Sequence, residues 1–162
     1  DLLINNASVF YPTPLSNARR DDWDNLINVN LKAPYFLATE LSNKLSSRNG
    51  SIINIVDIHS ERPLKNHSIY SISKAGLKML TLSLAKELAP NVRVNGVSPG
   101  SIIWPQNKDL ISDNEKGIML DRIALKRQGK PEDIAETVLF LVESEYITGQ
   151  IINIDGGRTL YQ

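Results

Sequence analysis

Val56-Asp57-Ile58-His59-Ser60 and, further along, Tyr70-Ser71-Ile72-Ser73-Lys74 bound the stretch on which the fold turns. The first segment closes a β-branched run, Ser51-Ile52-Ile53-Asn54-Ile55-Val56, that reads as a central strand ending at Asp57. The second opens a helix carried to Leu88, with Ile72, Ala75, Met79, Leu82 and Leu88 among its apolar positions. Side chains four apart on a helix share a face. The Tyr70 phenol and the Lys74 ammonium therefore project into one space. A nearby opposite charge stabilises a charged form, so the lysine is expected to favour the phenolate. Facing the carboxylate of Asp57, the pair is a candidate proton-transfer device.

Outward from this stretch, strands and helices alternate. Leu2 to Asn5 is a short apolar run suited to a buried parallel strand. Asn5-Asn6-Ala7-Ser8 follows it and reads either as a ligand approach at a strand end or as an Asx turn. Phe10-Tyr11-Pro12-Thr13-Pro14-Leu15 is a loop, because two prolines forbid a regular element. Its aromatic pair covers the core edge or stacks on a flat ligand. A helical pattern then runs from Asp21-Asp22 to about Arg48, through Trp23, Leu26, Ile27, Leu31, Phe36, Leu37 and Leu41, and stops at Gly50. Pro34 lies inside it and cannot donate to the Asn30 carbonyl, which must find another partner.

Beyond the central helix, Pro90 marks its end and Val92 to Val97 forms a third strand. That strand runs into Ser98-Pro99-Gly100-Ser101, a turn whose glycine permits close backbone contact. Ile102 to Ala124 is weakly patterned and reads as a lid. Pro131-Glu132-Asp133 opens a helix with Ile134, Ala135, Val138, Leu141 and Val142 as its buried stripe. Gln150 to Asp155 is the last strand, closed by Gly156-Gly157. The order β-α-β-α-β-(lid)-α-β predicts an α/β fold with a parallel, doubly wound sheet.

Bulk properties narrow the functions. The 162 residues suffice for one core. Lys+Arg and Asp+Glu both number 18, which argues against a nucleic-acid binder. The absence of cysteine excludes disulfides, thiolate metal sites and cysteine nucleophiles. No apolar run approaches the ~20 residues of a membrane helix. No signal pattern opens the chain, so a cytoplasmic location and no membrane partner are expected. His59 and His67 flank the candidate device. Without a third ligand at suitable spacing they read as loop residues near a pocket, not as a metal site.

Asn5-Asn6-Ala7, Asn30, Tyr70-x-x-x-Lys74, Pro99-Gly100 and Asp155-Gly156-Gly157 occur in the order found in short-chain dehydrogenase/reductases, which the chain resembles over nearly its whole length. The resemblance implies a Rossmann-like sheet and makes Tyr70 the proton donor. Lys74 would hold the cofactor ribose and lower the tyrosine pKa. Asn30 would anchor a relay water through its main-chain carbonyl. Asn5 and Ala7 would line the adenosine ribose side, and Pro99, Gly100 and Ser101 would pack around the nicotinamide. The implied cofactor is NADPH/NADP, with NAD not excluded.

Two departures resemble the pteridine reductase subgroup. Asp57 stands where the wider family has serine, and Asn-Asn-Ala-Ser leads into Phe10-Tyr11-Pro12. By that resemblance Phe10 stacks on a pterin, Ser8 contacts cofactor phosphate or the pterin, and Asp57 bonds its polar edge. Trp104 covers the substrate or packs on the lid. The expected activity is NADPH-dependent reduction of a pterin or folate, with a Tyr/Asp/Lys proton relay. The alternatives are a carbonyl/alcohol oxidoreductase such as a 3-oxoacyl reductase, and an inactive truncated chain acting only in oligomerisation. The family's glycine-rich turn after the first strand is not in the sequence. The chain is therefore expected to be a single partial Rossmann-like domain, the C-terminal portion of the fold, lacking the first βαβαβ half of on the order of 80 residues. A homo-oligomer, tetramer or dimer, is the expected assembly.

Overall fold

The computed structural model describes residues 1–104 and 112–161. Four parallel strands form one sheet in sequence order: β1 (Leu2–Asn5), β2 (Ser51–Ile55), β3 (Arg93–Pro99) and β4 (Ile151–Ile154). Leu3 lies opposite Ile52, Ile52 opposite Val94, and Val97 opposite Ile152. Side chains alternate between the sheet faces. Ile52, Val56 and Val94 therefore face one way, toward α2 (Ala33–Ser46) and α3 (Ser68–Glu87), and pack with Ala38, Leu45, Leu77, Leu80 and Leu84. Ile53 and Val97 face the other way and pack against Leu141 of α5 (Pro131–Glu143), with Ile134 and Val138 alongside. Helices cover both faces, which is why β2 and β3 are buried along nearly their whole length.

Helix α3 turns Tyr70, Ser73, Lys74, Leu77, Thr81 and Leu84 inward at helical spacing. Ile72, Met79 and Leu82 point out, so these apolar positions do not mark its core face. Polar residues in the strands also have a structural use. The Asn5 amide donates to Asn54 Oδ1 at 2.8 Å, and Asn54 Nδ2 donates to Thr81 Oγ1 at 2.9 Å. This buried chain ties β1, β2 and α3 together, and each group in it is satisfied as burial requires.

Two elements differ from the sequence reading. The helix expected from Asp21 to Arg48 is broken into α1 (Arg20–Ile27), a π-helical turn (Asn28–Lys32) and α2. Ala33 N–H bonds the Asn28 carbonyl five residues back, just before Pro34. The segment before the proline is thus a wider turn and not a plain kink. The expected lid contains a helix, α4 (Asp113–Asp121), started by a capping box in which Ser112 Oγ accepts from Glu115 N–H and Ser112 N–H donates to Glu115 Oε2. The part of that lid at 105–111 lies outside the described residues. No helix among the described residues is long and apolar enough to cross a membrane.

Candidate active site

A cavity of about 900 Å³ opens at the carboxyl ends of β1, β2 and β3, on the α5 side of the sheet. Ser8, Phe10, Tyr70, Pro99, Gly100 and Ser101 line it, as do Asn6 and Ile55. Ligands in open α/β sheets bind at such strand ends. Six residues singled out from sequence thus share one space.

Asp57 follows β2 in extended conformation and caps a short 3₁₀ turn, Ile58–Ser60, by accepting His59 N–H on Oδ1 at 2.7 Å. Its other oxygen, Oδ2, accepts the Tyr70 hydroxyl at 2.7 Å. Burial first, and then the charge and hydrogen bond of Asp57, raise the Tyr70 pKa above its ordinary value. The net direction is opposite to the shift toward phenolate expected from Lys74, because burial and Asp57 set it. The Lys74 Nζ lies 5.8 Å from the Tyr70 ring centroid and donates to the Ile55 carbonyl at 3.0 Å. Burial pushes the Lys74 pKa down to about 8, with Asp57 opposing. The lysine is 2% exposed, and its ammonium has this one hydrogen bond among the described residues, against three N–H donors.

Asn30 is wholly buried, and its part in the structure is played by its side chain. Oδ1 accepts from Val9 N–H at 2.9 Å and from the Ser8 hydroxyl at 3.1 Å. Nδ2 donates to the Val9 carbonyl at 3.0 Å and to Ser73 Oγ at 3.1 Å. Ser73 Oγ in turn donates to the Tyr70 carbonyl at 2.7 Å. The π-helical turn therefore carries an amide hook that fixes the loop after β1 against the turn of α3 bearing Tyr70. Sequence reasoning had looked to the Asn30 main chain for a water.

The remaining candidates divide. Asn5 is engaged with Asn54 and is buried away from the cavity, and Ala7 is exposed without lining it. Trp104 is half-buried and is not among the described lining residues. Gly100 has a reason for its missing side chain within the protein: a Cβ there would stand 2.8 Å from the Asp155 Cα. Ser101 Oγ accepts from Gln128 Nε2 at 3.0 Å. Phe10 is stacked on His67, with ring centroids 4.7 Å apart and planes at 12°. One face of the ring expected to stack on a ligand is thus already covered. His59 Nδ1 pairs with the Arg62 carbonyl, and no cluster of three metal-ligating side chains occurs among the described residues.

Sequence reasoning missed Asn54, Ser73, Gln128 and the pairing of His67 with Phe10. Asn54 carried a signal, an amide inside a β-branched run, and so did Ser73, a hydroxyl on the inward stripe of α3.

A family profile described as enoyl-(acyl carrier protein) reductase matches residues 1–159. The chain belongs to the short-chain dehydrogenase/reductase family. Among curated relatives of this family, a 3-oxoacyl-[acyl-carrier-protein] reductase FabG of Thermotoga maritima is 42% identical over 99% of the chain and 66% of its own length. Carbonyl reductase family member 4 of Xenopus laevis is 38% identical over 99% of the chain and 67% of its length. A gluconate 5-dehydrogenase from Burkholderia cenocepacia, solved with NADP and tartrate, superposes with a TM-score of 0.93 at 28% identity, covering 100% of the chain and 66% of that protein. The chain spans about two thirds of the length of the curated relatives it matches. The parallel sheet with helices on both faces is the Rossmann-like fold of this family. The relatives reported are carbonyl-group reductases and dehydrogenases, so the pteridine subgroup expected from Asp57 and Phe10 is not what the similarity singles out.

Proposed function

We propose that the protein carrying this chain is an NADPH-dependent carbonyl reductase of the 3-oxoacyl type. The observation that carries the reading is Tyr70, a phenol held protonated at the wall of the strand-end cavity by Asp57 at 2.7 Å. The similarity to a 3-oxoacyl reductase and a carbonyl reductase supports the substrate class.

The chain suits the nicotinamide-ribose end of the cofactor. The under-satisfied buried ammonium of Lys74 fits a hydroxyl-bearing ligand, and Pro99, Gly100 and Ser101 supply a close wall. When bound, the nicotinamide supplies the hydride. Tyr70 Oη gives its proton to the substrate oxygen as negative charge develops there. Lys74, with its pKa near 8, places positive charge behind the phenolate that forms. Asp57 orients the phenol before the step and keeps it from ionising early.

A second reading rests on Asp57. When Tyr70 turns its proton to substrate, Oδ2 loses a donor and is left short of a partner. A substrate with N–H groups, such as a dihydropterin, can restore that bond, whereas a simple ketone cannot. Sites with a buried group awaiting a partner discriminate strongly in this way. NADPH consumption with 3-oxoacyl thioesters and with dihydropterins separates the readings. Turnover of the thioesters alone supports the first, and turnover of dihydropterins alone replaces it with the second. If Tyr70→Phe retains full activity, both fail. The proposed partner is a second copy of the chain, meeting the exposed Ile72, Met79 and Tyr35.

A further inference from the structure

Phe10 lines the cavity beside the proton donor, and its ring is held on two sides. His67 lies parallel to it at 4.7 Å, and Tyr70 meets it edge-on at 4.8 Å with planes at 81°. The backbone on either side is pinned as well. Val9 is clamped at both N–H and carbonyl by Asn30, and Tyr11 packs with Leu26, Ile69 and Tyr70. Thr13 N–H donates to the Asn66 carbonyl at 2.6 Å, joining the loop of Phe10 to the residue before His67. His67 itself is fixed as the residue preceding α3, with Nδ1 paired to the Lys65 carbonyl at 2.9 Å. A ring exposed on a loop ordinarily swings between rotamers. This one is barred on the side of His67 and on the side of Tyr70.

From this arrangement we propose that His67 is a positioning residue which, through Phe10, sets the width of the substrate pocket. The substrates selected are ketones with no quaternary carbon next to the reacting carbonyl. The inference rests on the carbonyl reductase reading. Tyr70 and Phe10 line the same cavity with their rings edge-on, so a carbonyl held at the Tyr70 hydroxyl has the Phe10 ring as a neighbour, where a flat or slim arm fits. A quaternary carbon in that place requires the ring to move, and the stack on His67 resists the movement.

The test compares acetophenone with its tert-butyl analogue pivalophenone. The holoenzyme supplied with NADPH gives turnover, and saturation-transfer NMR gives binding. The wild-type protein is expected to prefer acetophenone in both. His67→Ala is expected to lower the preference by about 2- to 10-fold, the scale of a lost aromatic pair, through KM with kcat held. His67→Phe, which keeps a ring on Phe10, is expected to restore it. A preference unchanged in His67→Ala, or not restored in His67→Phe, overturns the inference. If neither these ketones nor 3-oxoacyl thioesters are turned over, the carbonyl reductase reading fails, and in either case the binding ratios still decide the role of His67. Should His67→Ala fail to fold, His67→Phe against Phe10→Leu in the same measurements decides it, since only loss of the Phe10 ring should then relax the preference.

Discussion

Replacing Asp57 by serine tests the electrostatics of the site directly. Tyr70 donates to Asp57 Oδ2 at 2.7 Å, a part-buried, charge-assisted bond. A hydrogen bond to a charged group is worth about 1.5–3 kcal/mol, and one pH unit corresponds to about 1.4 kcal/mol. Asp57→Ser should therefore lower the Tyr70 pKa by about one to two units. Serine retains a hydroxyl able to cap the His59 N–H, so the 3₁₀ turn is spared. Asp57→Asn keeps an acceptor without charge and should give a smaller fall. The assay is a tyrosinate absorbance titration. The chain has five tyrosines, so the trace of the matching Tyr70→Phe protein is subtracted from each. Raised by burial and by Asp57, the wild-type phenol should ionise above the usual ~10. An Asp57→Ser midpoint equal to or above the wild-type one would refute the reasoning, as would wild-type ionisation below that range. In the active protein, the alkaline limb of carbonyl reduction should move down with the phenol.

Three further outcomes are expected. Between about pH 8 and 10.5 the unfolded chain holds the Lys74 proton and the folded chain does not, so stability rises with pH by on the order of 3 kcal/mol across that window; urea unfolding of Lys74→Met should lose this rise, and an identical pH profile counts against the buried ammonium. Asn30→Ala leaves the Val9 N–H, the Val9 carbonyl and Ser73 Oγ short of a partner. The cost is about 1–3 kcal/mol for each group stranded in the interior, read as a lower urea midpoint with the slope unchanged, and an unmoved midpoint dismisses the hook. Met79 is 62% exposed on α3, so Met79→Glu should leave the fold intact while shifting sedimentation toward the monomer; unchanged sedimentation of an assembled wild type rules that face out as the contact.

Much of the fold was legible because strand and helix periods are local. The runs at Leu2 to Asn5 and Ser51 to Val56 announced parallel strands, the second buried as expected and the first with Leu2 and Ile4 exposed at the sheet edge, and Ile134, Val138 and Leu141 announced the inner face of α5. What was illegible depends on contacts far apart in sequence. The spacing of Tyr70 and Lys74 showed that they share a helix face but not that the ammonium would turn to the Ile55 carbonyl. It likewise could not show that the Asp57 carboxylate, thirteen residues away, would accept the phenol's hydrogen bond. Ile72, Met79 and Leu82 fit the apolar pattern of α3 and yet face outward, because periodicity counts apolar positions without knowing which surface covers them. Phe10 was legible as a pocket residue, whereas its stack on His67 depends on how two loops meet.

The π-helical turn at Asn28–Lys32 has a geometric meaning for the whole segment. Each helical residue advances about 100°, so an unbroken α-helix would set Leu26 and Ala38 about 120° apart. The wide turn spends one residue without advancing the phase, which brings the two to within about 20°. Leu26, Ala38 and Leu45 thereby share a face and are all buried. The turn is in effect a one-residue insertion spliced into a regular helix, and it is read out twice: as a correction of phase and as the place where Asn30 leaves the helix surface to hook the loop. Deleting one residue there would restore a smoother helix. It would leave the downstream face in phase and remove the place from which Asn30 reaches the loop, setting helical regularity against the shape of the site.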